Sequence, residues 1–378
     1  MSRKGENIYK RKDNRWEGRY VKGYNEDGSV KYGYIYAATY LQAKERLQKA
    51  RIDLSIGGAM STKSKRKTVD LCFEWLQINK HKIAESTYVK YLTVLEKHII
   101  PYFGGMKPEM ISTATVSEFA RILTDEANLA SKTTRDILTI LNSILKYAKK
   151  EIGVIMPDVE IVYPKSAKRE MRVLSRAEQG RLIAVLMQNM DRYKFGILLA
   201  LITGLRVGEL CALRWENVNF EDGFIQVKYT MQRLKNTNIS SLNNNINNRG
   251  TKIIVTDPKS EGSARQIPLT ENALNLCRKF YCGGDSAYVL TGEKNIYCEP
   301  RKLQYHFYRI AEEAGLDDVH FHSLRHTFAT RCVEVGFEIK SLSEILGHSS
   351  PKITLERYVH SSMELKRDHM NRLSTVGF

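Results

Sequence analysis

Residues 193–209 read YKFGILLALITGLRVGE. Tyr193 to Thr203 is almost wholly apolar, long enough for a helix and without a polar stripe, so it predicts a helix buried on all sides. Gly204 stops that helix, and Leu205-Arg206-Val207-Gly208-Glu209 opens the next, which brings Arg206 off a glycine turn. Taken alone, an arginine there also fits a surface cap, the lesser of the two readings.

The segments on either side complete a mixed domain. Ser175 caps a helix into Val185, and Glu221-Asp222-Gly223 is a turn ahead of a strand at Phe224–Thr230. Further strands are predicted at Lys252–Thr256 and Arg265–Leu269, with Pro258-Lys259-Ser260-Glu261-Gly262 as the hairpin turn between them and Lys259 near its tip. Helices follow at Glu271–Phe280, Arg301–Ala314, His322–Val335, Ile339–Leu346 and Pro351–Val359. Seven asparagines between Asn236 and Asn248 mark a stretch, Gln232–Gly250, that fits either a flexible loop or an extended hairpin.

Upstream, residues 68–153 are helical in pattern. Thr68–Lys80, Ser86–Ile99, Thr115–Asn128 and Thr133–Lys150 make a four-helix bundle, broken in the middle by Pro101, Gly104-Gly105 and Pro108. Residues 154–171 are an extended connection. At the start of the chain, Lys12-Asp13-Asn14 and Asn25-Glu26-Asp27-Gly28 are turns between strands, and Lys31–Tyr36 carries aromatics at period two. Thr39–Ala50 then reads as a helix with Leu41 and Leu47 inward, and 51–67 has linker composition. The expected fold is an α+β multidomain chain: a small three-stranded β-sheet plus helix, a helical bundle, and a mainly α domain with a small antiparallel β-sheet.

Charge narrows the partner. Of 378 residues, 59 are Lys or Arg and 42 Asp or Glu, a net +17. Residues 1–67 alone hold 17 basic and 7 acidic side chains, a +10 concentration that favours an anionic polymer. No run of 18 apolar residues spans a bilayer, and MSRKGENIYKRK lacks the apolar stretch of a secretory signal. The six cysteines are scattered without a C-x-x-C pair, as in a reduced, cytoplasmic protein. Candidate DNA contacts are Arg15, Arg19, Tyr20, Lys31 and Tyr34 on the N-terminal sheet, Lys63, Lys65 and Arg66 in the linker, and Lys146 and Lys149 at the bundle's end.

Two common chemistries have no residues to support them. There is no G-x-x-x-x-G-K-[ST] loop for a nucleotide and no H-E-x-x-H for zinc. His322 and His326 are four apart, but Arg325 places a cation beside any metal they would hold. Asp317-Asp318 and Glu312-Glu313 read as solvated helix ends, so a two-metal hydrolytic site lacks ligands and no cofactor is expected. What the chain does hold is a set of cations, imidazoles and one tyrosine. His322-Ser323-Leu324-Arg325 puts His322 and Arg325 on one helical face. Leu346-Gly347-His348-Ser349-Ser350-Pro351 ends one helix and starts another, and Tyr358 follows two turns later.

In order and spacing, Arg206, His322-x-x-Arg325, Leu346-Gly347-His348 and Tyr358 resemble the signature of the tyrosine recombinases over about residues 172–362. Similarity is greatest to integrases of conjugative transposons. That resemblance implies a domain plan of 1–58 for arm-type DNA binding, 59–67 as linker, 68–160 as a SAM-like core-binding domain and 172–378 as the catalytic domain with its tail. It implies an integrase that cuts and rejoins double-stranded DNA at core and arm-type sites through a 3′-phosphotyrosyl link, as a tetramer on DNA. An excisionase and a host DNA-bending protein are implied partners.

The chemistry fits without the name. Cleaving a phosphodiester without metal needs guanidiniums at the non-bridging oxygens, here Arg206 and Arg325, with His348 as a further donor. His322 would take the proton of Tyr358, the nucleophile, and Lys259 would protonate the leaving 5′-oxygen, so neither metal nor ATP is required. Glu209 reads as a brace for a backbone group or an arginine. In the tail, Met363, Leu365 and Met370 suit docking on a neighbouring subunit. The competing readings are a type IB topoisomerase, which needs one duplex and one protomer, and a non-catalytic DNA-binding regulator.

Overall fold

The computed structural model describes residues 7–24, 29–57, 67–150, 157–165, 171–236, 250–257, 264–358 and, in the tail, 367, 370 and 371, with the side chains of 22–24 and 51–57 excepted. By contacts the chain divides into two units, Met1–Ala167 and Lys168–Phe378.

The first unit opens with a three-stranded antiparallel sheet, β1 (Ile8–Lys10), β2 (Trp16–Tyr24) and β3 (Val30–Ala37), followed by α1 (Tyr40–Gly57). Alternation along β3 sends Gly33, Ile35 and Ala37 toward the helix and leaves Tyr32, Tyr34 and Tyr36 on the open face. The helix answers with Ala43 and Leu47, which form a small core with Ile8 and Ala37. Leu41, expected inward, is 66% exposed: the stripe runs Tyr40, Ala43, Leu47, and position 41 falls off it. The chain also stays helical through 51–57, where composition alone reads as linker.

A second, separate core belongs to the helical bundle. It comprises α2 (Thr68–Asn79), α3 (Glu85–Val94), α4 (Ile100–Phe103), α5 (Thr113–Arg121) and α6 (Ser131–Lys150), with Leu71, Ile99, Phe103, Phe119, Leu138 and Leu141 at its centre. Pro101 does not break this bundle as expected. A π turn at Leu95–Ile99 precedes it, in which the amide of Ile100 reaches back to the Leu95 carbonyl, and helical structure continues to Phe103.

The second unit holds the larger core. Its helices are α7 (Arg176–Met187), α8 (Arg192–Thr203), α9 (Val207–Ala212), α10 (Glu271–Phe280), α11 (Pro300–Glu313), α12 (Phe321–Glu334), α13 (Ile339–Leu346) and α14 (Pro351–Tyr358). As its composition demands, α8 is buried almost throughout, from Phe195 to Leu201. Among the strands, β4 (Val218–Asn219), β5 (Phe224–Val227) and β8 (Arg265–Pro268) form one antiparallel sheet, while β6 (Thr230–Lys235) and β7 (Thr251–Thr256) form another. This corrects the expected hairpin across 258–262. Its flanking strands pair elsewhere, β7 with β6 and β8 with β5, so that segment joins two sheets. The Asn-rich stretch instead separates the paired strands β6 and β7, with the amide of Asn236 bonded to the Gly250 carbonyl.

Candidate active site

Two left-handed glycines position the charged groups of the second unit. Gly204 ends α8 at φ +68° and Gly347 ends α13 at φ +63°. A Cβ on Gly204 would stand 2.6 Å from the Phe328 ring, and one on Gly347 would stand 3.0 Å from the Arg265 side chain. Around these turns three guanidiniums converge on successive carbonyls at the C-terminal end of α13. Arg265 donates from Nε to the Ile345 carbonyl at 2.5 Å, Arg325 donates from Nη2 to the Leu346 carbonyl, and Arg206 donates from Nη2 to the Gly347 carbonyl at 3.1 Å. The free carbonyls and the negative end of the helix dipole offset repulsion among the cations.

One carboxylate completes the frame. Glu209, 4% exposed, accepts from both Nη atoms of Arg265 at 3.0 and 2.8 Å and from Nη1 of Arg206 at 2.7 Å. It also accepts from the Arg206 amide at 2.9 Å, which satisfies a backbone N–H at the start of α9. Burial alone would raise the Glu209 carboxyl, but Arg265 and Arg206 override it and hold it at about 2. Arg265 was visible in sequence only as a neighbour of Lys259. Its role as the second partner of Glu209 depends on which strands pair, and that was not readable.

Arg325 is 2% exposed and also donates from Nη1 to the Gly204 carbonyl at 2.8 Å. Burial and the adjacent Arg206 pull its proton affinity down to about 9, which still leaves it charged at neutral pH. Tyr358, the last residue of α14, is 4% exposed, and its hydroxyl lies 2.9 Å from Nδ1 of His326. Burial raises the phenol above its ordinary value, opposed by Arg325, Arg357 and Arg206. His348 lies parallel to the tyrosine ring at 6.2 Å and its Nδ1 is 2.8 Å from the Thr354 hydroxyl.

The structure therefore brings Arg206, Arg325, His348 and Tyr358 together, with His322 on the same α12 face. His322 itself keeps an exposed ring, set edge-on to His326 at 4.5 Å, and the imidazole against the tyrosine hydroxyl is His326. The sequence pattern marks His326 only as a metal candidate that Arg325 argues against. Its position next to Arg325, four residues after His322, was the available signal. Lys259 lies outside the described residues, as do Lys63, Lys65, Arg66, Met363 and Leu365. Among the described residues no group of His, Cys, Asp and Glu could hold a metal ion.

All three imidazoles resist protonation. Crowding by the protein, reinforced by Arg325, Arg206 and Arg357, lowers His322 to about 4 and His348 to about 3, and burial with His322, Arg357 and Arg325 lowers His326 to about 4. In the unfolded chain they protonate near 6.5, so they favour folding above that pH, and the contribution fades as pH falls from about 6.5 toward 4. Glu209 stays ionised across this window. The thermal unfolding midpoint is expected to fall steadily between pH 6.5 and 4. A midpoint flat over that range contradicts this account.

On the N-terminal sheet, Arg19 and Tyr34 are cross-strand partners on the open face. Arg19 sits 3.4 Å over the Tyr32 ring, and Arg11 and Arg15 lie over Tyr36. Tyr20 does not join them. It pairs with Gly33 and packs into the helix-side core, where a Cβ at 33 would stand 2.5 Å from its ring. Period two puts residue 20 opposite residue 19, so both could not serve one face. Lys31 is exposed near the start of β3. Lys146 and Lys149 are exposed on α6, with Lys149 paired to Asp158.

Two family models match the chain. The model of the phage integrase family matches residues 172–364, just over half of the chain, and that of the phage integrase N-terminal SAM-like domain matches 69–123. The chain belongs to the phage integrase family. A XerC-like tyrosine recombinase of Caldanaerobacter subterraneus subsp. tengcongensis is 27% identical to this family member over 336 residues, covering 81% of the chain and 82% of that protein. The transposase of transposon Tn916 from Enterococcus faecalis is 27% identical over 194 residues, 47% of the chain and 44% of that protein. Among solved structures, the Tn1549 transposon integrase in complex with a circular intermediate DNA superposes with a TM-score of 0.65 at 19% identity, over 82% of the chain and all of that one. A lambda integrase tetramer bound to a Holliday junction gives 0.57 at 18% identity, over 96% and 99%. At these identities the superpositions establish the fold. Among the described residues no helix is long and apolar enough to cross a membrane.

Proposed function

We propose that this phage integrase family member is a site-specific recombinase that cuts and rejoins double-stranded DNA to integrate and excise a mobile element. Tyr358 is the nucleophile. The observation that carries this reading is the Tyr358 hydroxyl, buried against His326 and flanked by Arg325 and His348 at the end of α13.

A phosphodiester in this frame presents two non-bridging oxygens, whose charge grows as the fifth oxygen approaches. Arg206, about one-third exposed, and Arg325 have planar donor forks for them, fixed beforehand by Glu209 and the carbonyls of Gly204, Leu346 and Gly347. His348 supplies another donor. His322, open to solvent and ringed by guanidiniums, suits the phosphate too. The product is a 3′-phosphotyrosine, which stores the ester for rejoining. Lys259 is the proposed acid for the departing 5′-oxygen.

The domain plan assigned from sequence, 1–58, 59–67, 68–160 and 172–378, accompanies this proposal. The open face carrying Arg15, Arg19 and Tyr34 reads arm-type DNA, and Lys31, Lys63, Lys65, Arg66, Lys146 and Lys149 add phosphate contacts. The lambda integrase tetramer bound to a Holliday junction supports assembly as a tetramer. A cytoplasmic location, an excisionase and a host DNA-bending protein belong to the same proposal. Cleavage of a nicked attachment-site duplex tests the reading. Adduct formation is expected to persist in EDTA, and removal of residues 1–58 is expected to weaken arm-site binding while sparing core-site cleavage. Loss of cleavage in EDTA would overturn the metal-free mechanism, and equal loss at both sites would overturn the arm assignment.

A further inference from the structure

We propose that His326 accepts the Tyr358 proton during strand cleavage, a role that rests on Tyr358 being the nucleophile. The geometry is direct. Nδ1 of His326 is 2.9 Å from the tyrosine oxygen, and the two residues are 7% and 4% exposed, so water does not compete for that proton. Acceptance of the tyrosine proton at Nδ1 requires the neutral tautomer that carries its own proton on Nε2, and that tautomer is part of the proposal. Tyr358 ends α14 and His326 lies on α12, and the two helices share a core that includes Ala329, Leu342, Leu346 and Tyr358 itself, so the contact joins two packed helices.

His322 and His326 divide the work on α12. Positions 322, 325 and 326 share one helical face. His322 is the exposed member of the edge-on pair. His326 faces the nucleophile.

The step balances as follows. The Tyr358 oxygen bonds to phosphorus while its O–H bond breaks, and the proton passes to Nδ1, leaving an imidazolium. The P–O5′ bond breaks, its electron pair leaves with O5′, and that oxygen takes a proton from Lys259. Rejoining reverses each movement, with His326 returning the proton to the tyrosine.

The surrounding charges bear on this transfer. His322 and Arg325 on α12 and Arg357 on α14 face His326, and Arg206 acts on the phenol with Arg325 and Arg357. Burial first, and their combined field after it, disfavour an imidazolium. A bound phosphodiester brings negative charge into that field and so offsets the part of the penalty that the cations impose.

The test uses the full chain and a nicked duplex of its own attachment site, mapped by sequencing junctions formed in cells. Single-turnover adduct formation is followed from pH 6 to 9. His326→Asn keeps an acceptor where Nδ1 was but takes no proton, and His326→Ala removes both. Both are expected to cleave about 10²-fold slower than wild type at pH 7, with rates rising about tenfold per pH unit as the phenol ionises unaided. Free imidazole is expected to restore the alanine variant in proportion to its concentration. Gel-shift affinity and unfolding midpoint are measured on each variant, so that rates are compared between folded, bound proteins. A His326→Asn rate within threefold of wild type overturns the proposal, as does an alanine variant that keeps the wild-type pH profile and ignores imidazole. An adduct that survives Tyr358→Phe instead overturns the nucleophile assignment beneath it.

Discussion

Tyr358→Phe is expected to bind attachment-site DNA with unchanged affinity and to form no covalent adduct, a fall of at least about 10⁴-fold on a denaturing gel. The substitution removes one oxygen and little else. The ring stays parallel to His348 and packed with Ala329, Cys332, Leu342 and Leu346, so α14 keeps its seat. Folding loses the hydrogen bond to His326, about 1 kcal/mol, with some further cost from an unpaired buried imidazole nitrogen. The cations that hold phosphate are untouched. Binding and chemistry therefore separate cleanly in this variant. An adduct that persists at the wild-type rate would move the nucleophile to another residue.

How far the sequence alone reached depended on whether a signal was local. The apolar run Tyr193–Thr203, the Gly204 and Gly347 stops and the Ser175 cap are each set by neighbours in the chain, and all appear as read. The tyrosine recombinase resemblance rested on four short motifs in order, and the family match over 172–364 agrees with it.

The misreadings share a different cause. Leu41 was assigned inward on hydrophobicity, yet the sheet it would pack against offers Ile8, Ile35 and Ala37 along a stripe set by Tyr40, Ala43 and Leu47. Tyr20 was grouped with Arg19 by composition, although alternation puts neighbours on opposite faces. Pro101 looked like a helix stop because a widened turn leaves no mark in the sequence. The segment 258–262 looked like a hairpin turn because strand partners cannot be read from spacing alone. His326 is a different case: its i, i+4 spacing from His322 raises only a metal reading, which Arg325 argues against, and the hydroxyl it touches lies 32 residues downstream.

Arg325→Lys carries the second large effect, an expected loss of about 10²–10³ in single-turnover cleavage although charge is conserved. Arg325 spans two carbonyls, Gly204 at the end of α8 and Leu346 at the end of α13, from the two arms of one planar fork. A lysine ammonium is a single point on a flexible stem and cannot bridge both while also meeting a phosphate oxygen. At 2% exposure no water replaces the missing bond, so one buried carbonyl is left unpaired, at a cost of about 1–3 kcal/mol in stability. Arg206→Lys offers the internal comparison. Arg206 is about one-third exposed, so solvent can reach the Gly347 carbonyl it leaves, and Glu209 keeps its paired contact with Arg265. Both variants are expected to cleave slowly, but only Arg325→Lys should also lower the unfolding midpoint by several degrees. Wild-type cleavage by Arg325→Lys would mean that charge alone, without the fork, holds the phosphate. Equal destabilisation by the two variants would mean that the guanidinium cluster, and not the burial of Arg325, sets the rigidity of the site.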